Sequence, residues 1–166
     1  IIRLHIMANS DSEEDQALKL KIRDEILKES SQIYKDAETF DDANAALCTN
    51  LSHFKKTAEK MVRESGEDYS IQVQVKNKYF STREYEGFTL PAGEYRTLQI
   101  NIGEGAGKNW WCMVYPSLCL PASEKHDEEV MSLIPENERE IIEKPEEYKI
   151  RFKIVEIYEG LVNKLK

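Results

Sequence analysis

The chain has 166 residues, with 31 acidic and 23 basic side chains, and so a formal charge of -8 at pH 7. With 40% hydrophobic and 33% charged residues it is typical of a globular protein of one domain and not of a disordered tail. The acidic balance argues against general nucleic-acid binding, and no apolar run approaches the roughly 20 residues that a membrane-spanning helix needs.

The N-terminal segment predicts a strand followed by a long helix. Residues 1–8 alternate apolar and polar side chains, which is the pattern of a half-buried strand. Ser10 and Glu13 have the spacing of a capping box, which marks the start of a helix. An apolar stripe of helical period then continues to about Tyr34.

A second helix is predicted to begin at Asp41 or Asp42 and to end at Gly66. Its apolar residues recur at helical spacing along the whole segment. Two amphipathic helices joined by a short polar link indicate an antiparallel pair.

The middle of the chain predicts four further strands. Their alternating or apolar runs cover residues 70–76, 79–85, 97–102 and 110–115. We expect Asn77-Lys78 to turn a hairpin between the first two of these strands, and Pro116 to end the last.

The remaining chain predicts an acidic segment and a last helix. Residues 124–147 hold ten acids and three bases, a net charge of -7, and we expect residues 122–147 to be mobile. Pro145 suits the first turn of a C-terminal helix, whose apolar face continues to Leu165. The predicted fold is therefore α+β: a mainly antiparallel sheet of about five strands, packed against two N-terminal helices and a C-terminal helix. We expect residues 1–166 to form one soluble domain.

The Gly-rich run GEGAGK, residues 103–108, invites a phosphate-binding interpretation that its spacing does not support. A phosphate loop needs Gly where Ile102 stands, and a hydroxyl residue where Asn109 stands. A hairpin turn rich in positive φ explains the run better. We expect no cofactor and no metal site.

Cys112 has two other interpretations besides that of a small buried residue in a strand. A nucleophilic thiol would need a histidine base, but His5, His53 and His126 show no spacing that brings one near it. A disulfide between Cys112 and Cys119 is favoured, because Pro116 lets the chain fold back. The sequence therefore points away from a thiol hydrolase.

Trp110 and Trp111 must face opposite sides of a strand. One of them can lie in the core. The other is either an exposed anchor for a partner protein or is covered by a helix, and the sequence leaves both alternatives open.

Two stretches resemble the stage II sporulation protein R family of endospore-forming bacteria. They are RLHIMANSDSEEDQALKLKIRDEIL, Arg3–Leu27, and LPAGEYRTLQINIGEGAGKNWWCMVYPSLC, Leu90–Cys119. Together they span about a third of the chain, and the run G-x-G-x-x-x-N-W-W-C from Gly103 to Cys112 is the most distinctive part.

The resemblance implies a secreted signalling protein and not an enzyme. Such a protein is made in the forespore and exported into the space between the forespore and mother-cell membranes. There it would activate a membrane-embedded aspartic protease of the mother cell, which cleaves the precursor of sigma-E. Export would also permit the disulfide between Cys112 and Cys119. Because the chain begins with Ile1 and not Met, we expect it to be a processed or trimmed product that lacks the family's export segment.

The resemblance supplies no binding residues, so we predict a contact surface from the chain itself. Its residues are Gly103, Gly105, Gly107, Asn109, Trp110 and Trp111. The alternative function is a cell-wall or thiol hydrolase that acts in the same intermembrane space.

Overall fold

Three helices and six strands form from residues 1–85 and 88–115, the part of the chain that the computed structural model describes. In chain order they are β1 (Ile2–Met7), α1 (Glu13–Ile33), α2 (Phe40–Thr49), α3 (Leu51–Glu64), β2 (Ile71–Phe80), β3 (Arg83–Tyr85), β4 (Phe88–Leu90), β5 (Gly93–Ile102) and β6 (Asn109–Tyr115). The α+β class is confirmed.

The first helix follows its predicted course but begins differently. Its N-cap is Ser12, whose hydroxyl accepts a hydrogen bond from the Asp15 backbone N–H at 3.2 Å, so the predicted capping box of Ser10 and Glu13 is wrong. The Ser10 hydroxyl instead donates to the Asp15 carboxylate at 2.6 Å. The helix ends with Tyr34 as its C-cap, close to the predicted position.

The predicted second helix is two helices, α2 and α3, with Asn50 between them. The Asn50 backbone N–H donates to the carbonyls of Ala46 and Leu47, and its side-chain amide donates to the Ala46 carbonyl at 2.8 Å. An Asn side chain that bonds to the preceding turn in this way closes one helix before the next begins. Gly66, at φ +82°, follows the end of α3 as predicted.

The main sheet is mixed, and not mainly antiparallel as predicted. It has four strands in the order β2-β5-β1-β6, and β3 pairs with β4 in a separate two-stranded sheet. The central strand β1 is parallel to β5, with Leu4 opposite Leu98, and antiparallel to β6, with Leu4 opposite Cys112. The prediction of about five mainly antiparallel strands was wrong because strands that are far apart in sequence pair with β1.

The predicted hairpin at Asn77-Lys78 is also wrong. Strand β2 continues through both residues to Phe80, so the chain does not turn there. The Arg96 guanidinium donates to the Asn77 side-chain oxygen at 3.4 Å, across to the neighbouring strand β5.

One face of the main sheet packs against the helices. Ile2, Leu4 and Ile6 of β1 and Leu98 and Ile100 of β5 are fully buried there. The helices contribute fully or almost fully buried side chains that include Leu18, Ile22, Ile26, Leu47, Phe54 and Val62. Burial of this continuous apolar cluster is the main stabilisation of the helix layer on the sheet.

The opposite face of the sheet is polar, yet it is buried as well. Arg3 and His5 of β1 and Thr97 and Gln99 of β5 expose 5% or less of their surface. The prediction that β1 is a half-buried strand is therefore wrong, although its alternation of apolar and polar side chains is correct. A hydrogen bond joins His5 Nε2 to the Asn109 side-chain oxygen at 3.1 Å, which is one polar contact of this face.

The described residues fall into two compact units. One holds Ile1–Asn77 and the described residues from Arg96 onward, and the other holds residues 78–85 and 88–95. The predicted acidic segment 122–147 and the predicted C-terminal helix lie outside the described residues. The expectation of a single domain over residues 1–166 therefore stays a prediction.

Candidate partner-binding site

The Gly-rich loop, residues 103–108, carries the chain from β5 to β6 past the end of β1. The two strands are not neighbours, since β1 lies between them, so the loop is not the predicted hairpin turn. It is held against the residues that follow β1 by three backbone N–H donors: Ala106 to the Asn9 carbonyl at 3.2 Å, Gly107 to the Ala8 carbonyl at 3.0 Å, and Glu104 to the Asn9 side-chain oxygen at 3.0 Å. The loop is thus fixed in place by the backbone that it crosses.

Each glycine of the loop meets a different requirement. Gly103 and Gly105 have φ of +56° and +62°, a backbone conformation that residues other than glycine rarely adopt. Gly107 has an ordinary φ but is buried against the Ser10 carbonyl, which a Cβ atom would overlap. A Cβ atom at Gly103 would overlap the Asn9 side chain, whereas one at Gly105 would meet only ordinary contacts.

The carboxylate of Asp15 organises the segment that the loop crosses. It accepts hydrogen bonds from the Ser10 hydroxyl at 2.6 Å, from the Asn9 amide at 2.9 Å, and from the Tyr69 hydroxyl. Burial raises the pKa of this carboxyl, but the three side-chain hydrogen bonds outweigh burial and hold the pKa below its ordinary value. Burial and the hydrogen bond to Asp15 also raise the pKa of Tyr69 to about 12.

The two tryptophans face opposite sides of β6, as predicted. Trp110 packs at the edge of the apolar cluster on the helix side, and the Arg23 guanidinium of α1 lies 4.3 Å from the centre of its ring. Trp111 stacks on the buried His5 ring, with the ring centres 3.4 Å apart and the planes within 6°. Both tryptophans are half-buried, so neither lies fully in the core and neither is fully exposed.

The predicted site residues therefore lie near one another in the loop and at the start of β6, but they make different kinds of contact. The three glycines shape the loop, Trp111 packs on the polar face, and Asn109 is exposed at the start of β6 with its side chain bonded to His5. The exposed residues of the loop are Glu104, Ala106 and Lys108.

The sequence prediction missed the partners of the loop. Asn9, Asp15, Lys19 and Arg23 lie on the other stretch that carries the family resemblance, and three of them contact the loop or the start of β6. The one available signal was that the family resemblance is carried by two separate stretches, Arg3–Leu27 and Leu90–Cys119, which could form a common surface in the fold.

Cys112 is disulfide-bonded, and it lies on the apolar face of β6 in the core cluster. Cys48 is a free, exposed cysteine. Cys119 lies outside the described residues, so its pairing with Cys112 stays a prediction. His5 lies on the polar face, opposite to Cys112, and cannot serve as its base.

Residues 1–85 and 88–115 contain no group of His, Cys, Asp and Glu side chains placed to hold a metal ion. Within these same ranges no helix has the length and apolar character needed to cross a bilayer.

Alanine substitutions at two glycines test how closely the Gly-rich loop approaches the residues that follow β1. Gly107→Ala should lower the free energy of unfolding by about 3 kcal/mol, because its new methyl group overlaps backbone that cannot move aside. Gly66→Ala is the control for a substitution without overlap: Gly66 has a φ of +82°, which strains alanine, but nothing lies within 4 Å of the new methyl group, so we expect a loss of about 1 kcal/mol. Urea unfolding measures both, and equal losses would contradict the close approach of the loop to Ser10.

The Asp15 carboxylate gives a pH dependence of defined sign. The pKa of Asp15 is lower in the folded state than its value of 3.8 in the unfolded chain. The carboxylate therefore stabilises the fold fully above pH 3.8, and this stabilisation is lost as the pH falls through the pKa of the folded state. At pH 6, Asp15→Asn should lower the free energy of unfolding by about 2 kcal/mol, the value of a hydrogen-bonded charged group. The difference from the wild type should shrink below pH 3.8.

Urea unfolding from pH 6 to pH 2.5 checks this expectation. Glu14→Gln, at an exposed carboxylate of the same helical turn, is the control and should show a much smaller difference. A difference for Asp15→Asn that is constant over this range would show that ionisation of Asp15 is not involved.

The comparisons with known proteins agree on one family. The sequence model described as stage II sporulation protein R matches residues 1–125 of this chain. Stage II sporulation protein R of Bacillus subtilis (strain 168) is 40% identical over 119 residues, which is 72% of this chain and 53% of that protein. The chain thus spans about half the length of this relative. No solved structure matches the chain significantly. The chain belongs to the stage II sporulation protein R family.

Proposed function

We propose that this chain is a secreted signalling protein of sporulation that activates a membrane-embedded aspartic protease, which then cleaves the precursor of sigma-E. The observation that carries the proposal is family membership, given by the match over residues 1–125 and the 40% identity. Its place of action would be the space between the forespore and mother-cell membranes.

A binding role, and not a catalytic one, is further supported by the surroundings of Cys112. A nucleophilic thiol must be accessible and have a base beside it. Cys112 exposes 6% of its surface and is disulfide-bonded, and His5 lies on the other side of the sheet. No contact of the described residues favours the alternative of a cell-wall or thiol hydrolase.

We place the contact with the protease at the junction of the Gly-rich loop with β6. Lys108 and Asn109 are exposed, and Trp110 beside them is half-buried under Arg23. The buried Trp110 indole N–H has no hydrogen-bond acceptor among its described surroundings. A half-buried aromatic ring beside a fixed loop binds a partner with little loss of conformational entropy.

Activation by binding requires that the chain bind the active state of the protease more tightly than the inactive state. A surface that is already rigid in the free chain suits this requirement, because it selects one geometry of its partner. Trp111 is the less suitable anchor, since its ring is stacked on His5.

Replacement of Trp110 tests the proposed contact. Trp110→Ala should reduce cleavage of the sigma-E precursor at least tenfold in a reconstitution of the purified chain with protease-containing membranes, because loss of an aromatic anchor costs about 2 kcal/mol or more. Circular dichroism and urea unfolding confirm that the variant is folded.

Phe40→Ala is the matched control, because Phe40 is an exposed aromatic residue on α2. This variant should activate like the wild type. Full activation by folded Trp110→Ala would show that the contact lies elsewhere on the chain.

The disulfide is tested by thiol titration of the unfolded chain, which has three cysteines. We expect one reactive thiol, that of Cys48, without reductant and three with it, because Cys112 would be joined to Cys119. In the signalling assay, Cys112→Ser should lower the unfolding midpoint but retain activation. A folded Cys112→Ser variant that is wholly inactive would instead favour the thiol hydrolase.

A further inference from the structure

A buried lysine lies beneath the proposed contact surface. Lys19, in the second turn of α1, exposes 4% of its surface. Its ammonium donates to the Gln16 side-chain oxygen at 2.5 Å and to the Lys108 backbone carbonyl at 3.0 Å. These two bonds direct the charge toward the Gly-rich loop.

The burial of this charge has a cost that apolar packing would avoid. Removing an ammonium from water is unfavourable, and burial lowers the pKa of Lys19 although Asp11 nearby raises it. An apolar side chain of similar size at this position would lose the two hydrogen bonds but would also avoid the cost of desolvating the charge, so we expect a small net change in the free energy of unfolding. Global stability therefore does not account for a lysine at this position.

The backbone of Lys108 is instead held on both sides of its Cα atom, by α1 and by the residues before it. Its N–H donates to the Asp11 carboxylate at 2.7 Å, and its carbonyl accepts from Lys19. The two peptide groups that flank Lys108 are thereby held in orientation at the point where the loop enters β6.

The next turn of α1 continues the same contact. Arg23 lies four residues after Lys19, so the two side chains share a helix face. Lys19 holds the Lys108 carbonyl, and Arg23 covers the Trp110 ring two residues further along β6. One face of the helix thus contacts two alternate residues of the segment that would meet the partner.

We infer that Lys19 is a positioning residue for the proposed contact, setting the backbone from which Asn109 and Trp110 are presented to the protease. This inference rests on the proposed function. Lys19 does not itself touch the partner, and it acts through its hydrogen bond to the Lys108 backbone carbonyl.

The test compares Lys19→Met, which keeps the length of the side chain but removes the donors, with Lys21→Met, which removes an exposed charge from the same helix. Lys19→Met should leave the urea midpoint unchanged and lower activation about tenfold, as expected for loss of a charged hydrogen bond. It should also speed hydrogen exchange of the Lys108 amide about tenfold, because this amide donates to Asp11 from a backbone that Lys19 no longer holds on its other side. Lys21→Met should behave like the wild type. Lys19→Arg, which restores a donor, should recover part of both lost properties.

Four results would overturn the inference. They are unchanged exchange and activation in Lys19→Met, faster exchange with full activation, a large fall in the urea midpoint, and an equal effect of Lys21→Met. In each of these cases activation by the wild type shows that the proposed function survives. If the wild type itself does not activate the protease, the proposed function fails and the inference fails with it.

Discussion

The position of β1 between β5 and β6 is the constraint on which the rest of the structure depends. Because β5 and β6 flank the same strand, the chain that joins them must pass over its end, where β1 also leads into α1. Two segments of backbone therefore cross within hydrogen-bonding distance. Glycine at residue 107 permits this approach, and the helix start, the loop and the first residues of β6 are fixed together as a result.

Local patterns in the sequence predicted where helices and strands lie better than they predicted how the strands pair in the sheet. The apolar period of α1, the alternation of β1 and the stop at Gly66 are properties of neighbouring residues, and the structure has all three. Asn50, which divides the second helix, acts through a side-chain hydrogen bond that hydrophobic periodicity does not register. The parallel pairing of β1 with β5 depends on residues more than ninety positions apart, and no local pattern specifies it.

The sequence singled out the glycines and tryptophans of the loop and β6, but not the contacts that hold them in place. The glycines and tryptophans stood out because they are rare and adjacent in the sequence. Lys19, which bonds to the loop, and Asp15, which bonds to Asn9 and Ser10, resembled ordinary charged residues of a helix surface. A charge pattern does not reveal that a side chain is buried. Only the fold shows that Lys19 binds the loop and that Asp15 binds the residues that the loop crosses.

The pairing of Ile2 with Tyr115 has a consequence for the order in which the chain folds. The helices close through local contacts, but the centre of the sheet needs both ends of a segment of more than a hundred residues, which makes folding slow. Until β6 has been synthesised, a growing chain lacks one of the two neighbours of β1, so the four-stranded sheet is incomplete. The position of β1 also makes unfolding of the sheet cooperative, since separation of β1 would leave β5 and β6 without their common neighbour.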